Sequence, residues 1–373
     1  MVGHRTGQRR GFRALTLSAL LVFGLSQEWM HPARADPIQP DPPHSLSSRE
    51  ESIVLQLKSG REIRARLLLP AQASPSRKFP AVMVFGGFQG AARVLDEVAG
   101  LGLGDGAILA GFDYPFDKPR RFRFPQGLLL YDEVRTMLRE TLEAIPLLAA
   151  ALARDARVEP GVVALGASLG APLAAISAAR APEISQLILV HGFGRIPLVI
   201  ERQLARGPGA GPGVRARAVR ALSPLVSRAA WAASGLPDPE DEVRALRPGQ
   251  SVFWVEAEND SFIPSQAAAS LREVIGRSGA KVETLRTPGD HVQPGSVQLL
   301  RKIGAQARAW LERVRRACAS PHRARKKEKG GREPRGCSNG PEQGEAALQR
   351  APGDPRSHPR SGGPEDALSR GQG

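Results

Sequence analysis

Cysteine is nearly missing from this chain. Its 373 residues include two, Cys318 and Cys337, so residues 1–317 hold no thiol nucleophile and no cysteine-ligated zinc. Long hydrophobic runs are missing as well. The longest, Ala14 to Leu25, spans 12 residues, and a membrane-crossing helix needs roughly 20, which excludes a polytopic membrane protein. The middle of the chain also lacks an excess of one charge. The net charge is +15, but residues 1–35 carry five Arg against one Glu, and residues 313–373 carry fourteen basic against seven acidic. That leaves 33 basic and 29 acidic residues between them. A nucleic-acid-binding core is not implied, because phosphate neutralisation needs a concentrated basic surface. What is present suffices for one large core or two modest ones: 41% apolar and 24% charged residues.

The two ends read differently from the middle. Arg5, Arg9, Arg10 and Arg13 precede the short apolar run, and Ala33-Arg34-Ala35 follows it as an A-x-A cleavage pattern. Residues 1–35 therefore read as a secretory signal removed before Asp36, with Arg9-Arg10-Gly11-Phe12 resembling a twin-arginine export motif. The expectation is an exported protein, periplasmic or extracellular; an uncleaved N-terminal anchor is the alternative. Residues 36–50 are rich in Pro, Ser and Asp and read as a linker. From Ala317 to the end there are 10 Gly and 7 Pro in 57 residues, without apolar periodicity, as expected of a disordered basic tail (317–373). Its Arg323, Arg325, Lys326, Lys327 and Lys329 could touch anionic surfaces or simply be solvated. Cys318 and Cys337 could pair in an oxidising compartment or stay idle thiols.

Residues 51–316 alternate short apolar runs with helical spacing. Strands are predicted at 52–57, 62–69, 81–85, 107–112, 162–165, 187–190, 252–255 and 282–285, and helices at 131–152, 171–179, 267–275 and 297–314. Continuous apolar strands between helices predict an α/β fold, a mostly parallel sheet with helices on both faces. Ligands of such sheets sit beyond the carboxyl ends of the strands, so the residues just after each strand carry the chemistry.

After Val162–Leu165 comes Gly166-Ala167-Ser168-Leu169-Gly170, a G-x-S-x-G at a strand-to-helix junction. A serine hydroxyl attacks only when it is presented clear of its neighbours, which takes a sharp turn flanked by tiny residues; the helix that follows aims N–H groups at a developing oxyanion. Serine also needs a base. Of seven histidines only His191 and His291 fall inside the predicted fold, both just beyond a strand. His291 is the candidate base. His191 reads as a hydrogen-bonded strand-end histidine or a pocket wall. For the acid that orients the base, Asp260 in Glu256-Ala257-Glu258-Asn259-Asp260-Ser261 is the first choice, with Glu256 and Glu258 as rivals. Asp290 is discounted, because side chains adjacent in sequence rarely meet face to face.

Ser168, Asp260 and His291 thus appear in the order nucleophile, acid, base, each after a strand. With "VEPGVVALGASLGA", "EAENDSFIP" and "PGDH", the chain resembles the α/β-hydrolase superfamily and is similar to its dienelactone-hydrolase and prolyl-oligopeptidase-like branch over about residues 50–315. The resemblance implies an oxyanion hole made by the Leu169 N–H and a second N–H after the strand 81–85. Many members have His-Gly there; this chain has Gly86-Gly87-Phe88-Gln89-Gly90, with Phe88 the first choice of donor and Gly87 the second. It implies no metal and no organic cofactor.

From His191 to Ser251 is 60 positions, about twice what a crossover needs, so a lid is expected at about 195–245. Residues 195–237 hold seven Arg against Glu201 alone, with a hinge-like Gly/Pro stretch at 207–213. The loop 112–124 mixes Tyr114, Phe116, Phe122 and Phe124 with Lys118, Arg120, Arg121 and Arg123. Tyr114, Arg121 and His191 are the candidate substrate-binding residues. A cationic mouth for anionic esters is one reading; general arginine bias, 44 Arg against 8 Lys, is the other. The expected function is an exported serine hydrolase acting on a small carboxylic ester. A peptidase or amidase is the second reading, disfavoured because only about 15 linker residues precede the first strand and leave no room for a propeller. A catalytically silent binding module is the third.

Overall fold

A computed structural model describes residues 48–87, 90–104, 106–116, 131–206, 213–292 and 296–319. The expected signal segment, most of the linker, Phe88, Arg121, the 207–212 part of the hinge-like stretch, Cys337 and nearly all of the tail lie outside the described residues.

Eight strands form one sheet: β1 (Ser48–Gln56), β2 (Glu62–Pro70), β3 (Phe79–Phe85), β4 (Ile108–Phe112), β5 (Val158–Ala167), β6 (Ile184–Val190), β7 (Ser251–Ala257) and β8 (Lys281–Thr287). Their order is β1-β2-β4-β3-β5-β6-β7-β8. The pairs β1·β2 and β2·β4 are antiparallel, and the five pairs from β4 to β8 are parallel. The mostly parallel sheet expected from the apolar runs is what the chain forms.

The helices are α1 (Ala91–Val98), continued by a π-helical turn to Leu103, then α2 (Tyr131–Arg154), α3 (Gly170–Arg180), α4 (Ile196–Arg206), α5 (Val214–Ser234), the single turn α6 (Pro239–Glu242), α7 (Ser265–Arg277) and α8 (Val297–Ala319). Among the described residues no helix is long and apolar enough to cross a membrane.

Alternation along the central strands divides the core into two layers. Ala81, Met83 and Phe85 of β3, with Leu187 and Leu189 of β6 and Trp254 of β7, face α2 and α3. Val82, Val84, Ile188, Val190 and Phe253 face α1 and α8, where Phe253 stacks on Trp310 with centroids 5.5 Å apart. All seven residues of β3 are buried, which is why this strand reads as an unbroken apolar run. The edge strand β8 instead carries Lys281, Glu283 and Arg286, charges that blunt edge-to-edge pairing.

Element boundaries differ from the sequence reading at both ends. β1 starts at Ser48, inside the stretch read as linker, and α8 continues to Ala319, into the stretch read as tail. Pairing of Ser48 with Pro70 extends the hairpin beyond its apolar residues, and arginines continue α8 after the last apolar contact.

One ion-pair cluster ties the β1 edge to the turn before β5. Arg157 is bidentate to Glu51 at 2.8 and 2.9 Å and also binds Asp155 at 2.7 Å. Its hydrogen bonds hold both carboxylates below their ordinary range against the opposing effect of burial. Carboxylates lowered in the folded state stabilise at pH values above the unfolded pKa and lose that contribution as pH falls through the folded one. Arg157→Leu should therefore cost about 1–2 kcal/mol at pH 7, a charge-assisted cluster discounted for its partial exposure. Urea melts at pH 7 and at pH 3 check this: the gap between variant and wild type should shrink at pH 3.

Candidate active site

The strand register brings the candidate residues to one sheet edge. Phe85 is opposite Gly166, Ala167 opposite Val190, Val190 opposite Val255, and Ala257 opposite Thr287. The carboxyl ends of β3, β5, β6, β7 and β8 therefore align, and Gly86, Ser168, His191, Asp260 and His291 follow them.

Ser168 sits between β5 and α3 with φ of 52°, a left-handed conformation that serine rarely adopts. The turn closes only because its flanks lack side chains. A Cβ on Gly166 would lie 2.3 Å from the Gly170 carbonyl oxygen, and one on Gly170 would lie 2.1 Å from that of Phe85. Small residues continue into α3, where Ala171, Ala174 and Ala175 are fully buried. The Leu169 N–H is one of the first-turn donors that a helix leaves without an internal partner, at its positive end.

The Ser168 hydroxyl lies 3.2 Å from His291 Nε2, and His291 Nδ1 lies 2.8 Å from Asp260 Oδ2. The other oxygen of Asp260 accepts the Phe262 and Ile263 N–H groups at 2.9 and 2.7 Å, which fixes the carboxylate toward the imidazole. Burial pushes the Asp260 carboxyl up, but its contacts with the His191 and His291 rings and with the Ile263 N–H outweigh it and hold the group well below the usual carboxylate range. The Phe262 ring lies 5.1 Å from His291.

The rivals are engaged elsewhere. Glu256 binds Arg272, Arg286 and the Trp254 indole N–H. Glu258 is exposed. Asp290 accepts the backbone N–H groups of Ser261 and His291 at 2.5 and 2.6 Å, so it ties two loops together without touching the imidazole ring.

Two neighbours were less visible from sequence. His191, 3% exposed and also at positive φ, has Nδ1 3.1 Å from His291 Nδ1 and 3.3 Å from Asp260 Oδ2. Asp113, just past β4, accepts the Ala91 N–H at 2.5 Å, while the Tyr114 hydroxyl donates to the Gly86 carbonyl at 2.6 Å. Together they brace both ends of the loop that carries Gly87. Tyr114, expected among substrate-binding residues, thus has its hydroxyl turned to this loop. A charged residue directly after a strand was the only sequence signal for Asp113.

Candidate metal ligands among the described residues reduce to His191, Asp260 and His291, whose ligand atoms lie within 4.8 Å of one another. Those atoms already face each other and the Val292 N–H, so a cation could be gathered only by breaking these bonds.

The strand order, with a serine elbow after β5, an acid after β7 and a histidine after β8, decides the architecture. The chain has the α/β-hydrolase fold. No protein-family model matches it, and no curated protein does. Among solved structures it is similar to a highly thermostable carboxyl esterase from Bacillus coagulans (14% identity over 71% of this chain and 98% of that one, TM-score 0.48). It is also similar to a putative dienelactone hydrolase from Klebsiella pneumoniae (14%, 70% and 96%, TM-score 0.48) and to a Mycobacterium tuberculosis puromycin-hydrolyzing peptidase (17%, 69% and 38%, TM-score 0.49). The strand order and the serine elbow define the fold.

Proposed function

We propose that this protein is a serine hydrolase whose substrate is a carboxylic ester, cleaved through an acyl-enzyme. The observation that carries the reading is the proton path Ser168 Oγ to His291 Nε2 to Asp260, at 3.2 and 2.8 Å, with the serine held on a strained elbow. Strain of this kind is retained where the surrounding structure enforces it for chemistry.

In this reading Ser168 Oγ attacks the ester carbonyl as His291 Nε2 takes its proton. The Leu169 N–H and a second donor from the loop after β3 hold the tetrahedral oxyanion. Collapse breaks the carbonyl–alkoxide bond, and His291 returns the proton to the departing alcohol. Water then attacks the acyl-enzyme while His291 takes its proton, and collapse releases the acid and restores the Ser168 hydroxyl. Asp260 keeps the His291 proton on Nδ1 and stabilises the imidazolium; it stays ionised throughout.

Fluorophosphonate labelling followed by peptide mapping tests this, because only an activated serine reacts. The expected result is a single modified residue, Ser168, together with turnover of p-nitrophenyl esters that exceeds turnover of the matching peptide anilides. A labelled serine with anilides favoured would move the substrate class to amides. An unlabelled, folded protein would leave a binding module.

A further inference from the structure

The two histidines meet in a way that the triad alone does not require. Three polar groups surround His191 Nδ1: the Val292 N–H at 3.2 Å, His291 Nδ1 at 3.1 Å and Asp260 Oδ2 at 3.3 Å. The Val292 N–H can only donate. His291, to act as a base at Nε2, must carry its proton at Nδ1, so it donates there too. The carboxylate can only accept. Two donors against one more distant acceptor leave the lone pair of His191 on Nδ1 and its proton on Nε2. Among the described residues His191 Nε2 is buried without a hydrogen-bond partner, and either tautomer would leave it so; the neighbours of Nδ1 therefore decide.

We propose that His191 is a positioning residue for the hydrolase reading above, on which this inference rests: its Nδ1 lone pair is a second acceptor for the His291 Nδ1–H. When His291 takes the serine proton its ring becomes cationic and its Nδ1–H a stronger donor. A buried lone pair 3.1 Å away then stabilises the imidazolium alongside Asp260. The two rings also meet edge to face, with centroids 4.7 Å apart at 73°, which packs His191 against the catalytic imidazole.

The other charged groups near the pair have partners of their own. Asp290 is turned to backbone N–H groups, Glu256 at the end of β7 is bound by Arg272 and Arg286, and Arg202 and Arg206 of α4 reach the Ser261 carbonyl. Among the described residues Asp260 is thus the one carboxylate in direct contact with both rings.

His191→Leu and His191→Asn are near-isosteric, and the Asn side-chain oxygen falls where Nδ1 stands. Both variants are assayed with a p-nitrophenyl ester for kcat and KM, with kcat expressed per fluorophosphonate-titratable site, and kcat/KM is followed against pH. The leucine variant should lose roughly 10–150-fold in kcat, the size of one hydrogen bond to a charged group, with KM within roughly twofold. Its acid limb should move to lower pH, because a destabilised imidazolium gives up its proton more readily. The asparagine variant should recover most of the lost kcat and return the limb toward that of the wild type. Leucine is strained at the positive φ of residue 191, but counting active sites removes any unfolded fraction, and the limb position does not depend on enzyme amount. An unmoved limb makes His191 a packing residue only and overturns the proposal. A limb displaced to higher pH also overturns it, since His191 would then donate to Asp260. A wild type inert to probe and ester overturns the hydrolase reading and this inference with it, a result distinct from an active wild type with an insensitive His191.

Discussion

Ser168→Ala should lower kcat for an activated ester by at least roughly 10³-fold and leave the fold in place. The structure separates those two effects. Among the described residues the hydroxyl has one hydrogen-bond partner, His291 Nε2 at 3.2 Å, while the backbone of residue 168 is held from both sides: its N–H donates to the Val190 carbonyl at 2.9 Å and its carbonyl accepts the Ala171 N–H at 3.0 Å. Alanine keeps both bonds and the same φ, so thermal melting should move by no more than a few degrees. Residual turnover should come from the oxyanion donors and from substrate binding, neither of which is touched. Steady-state kinetics beside a melting curve check it. A loss below tenfold in a correctly folded variant would mean that the serine is not the nucleophile, and the arrangement of His291 and Asp260 would need another purpose.

The central strands were legible because burial on both faces forces β3, residues 162–166 of β5 and residues 252–255 of β7 to carry almost nothing but small and apolar residues. The elbow was legible because glycine, serine and glycine at fixed spacing answer to a steric demand, and the distances around Gly166 and Gly170 show that demand directly. Helix α5 was not legible. Its buried face is Ser223, Ser227, Ala230 and Ser234, while Leu222 and Leu225 stand 56% and 69% exposed. Small residues make up most of the packed face, with Val226 set against Ile200 and Leu204 of α4, so a hydrophobic period cannot find it. The choice among Glu256, Glu258 and Asp260 was legible only as a ranking. What settles the geometry is that Arg272, from α7, and Arg286, from β8, occupy Glu256, and partners 16 and 30 residues away leave no mark on the local sequence. The same holds for His191: its place after a strand was visible, but its meeting with His291, 100 residues on, comes from the β6·β7·β8 register.

Gly170→Ala should be the most disruptive single methyl in the elbow. The added carbon would stand 2.1 Å from the Phe85 carbonyl oxygen, 2.5 Å from its carbon and 3.0 Å from the Gly86 oxygen. All three are backbone atoms at the end of β3, so no rotamer change relieves the contact. Relief requires α3 to draw away from β3 or β3 to shift. The first displaces the Leu169 N–H and the Ser168 hydroxyl. The second displaces the loop braced by Asp113 and Tyr114, which carries the other oxyanion donor proposed above. Stability and activity must therefore fall together: about 2–4 kcal/mol by overpacking, and at least roughly 10²-fold in kcat/KM, since sub-ångström placement of nucleophile and donors governs the barrier. Gly276→Ala in α7 is the control, because nothing lies within 4 Å of its added carbon. An alanine there should hold or raise stability by up to about 1 kcal/mol through helix propensity alone. If Gly170→Ala melted and turned over like Gly276→Ala, α3 would not be pressed against β3, and the close approach that presents the serine would be refuted.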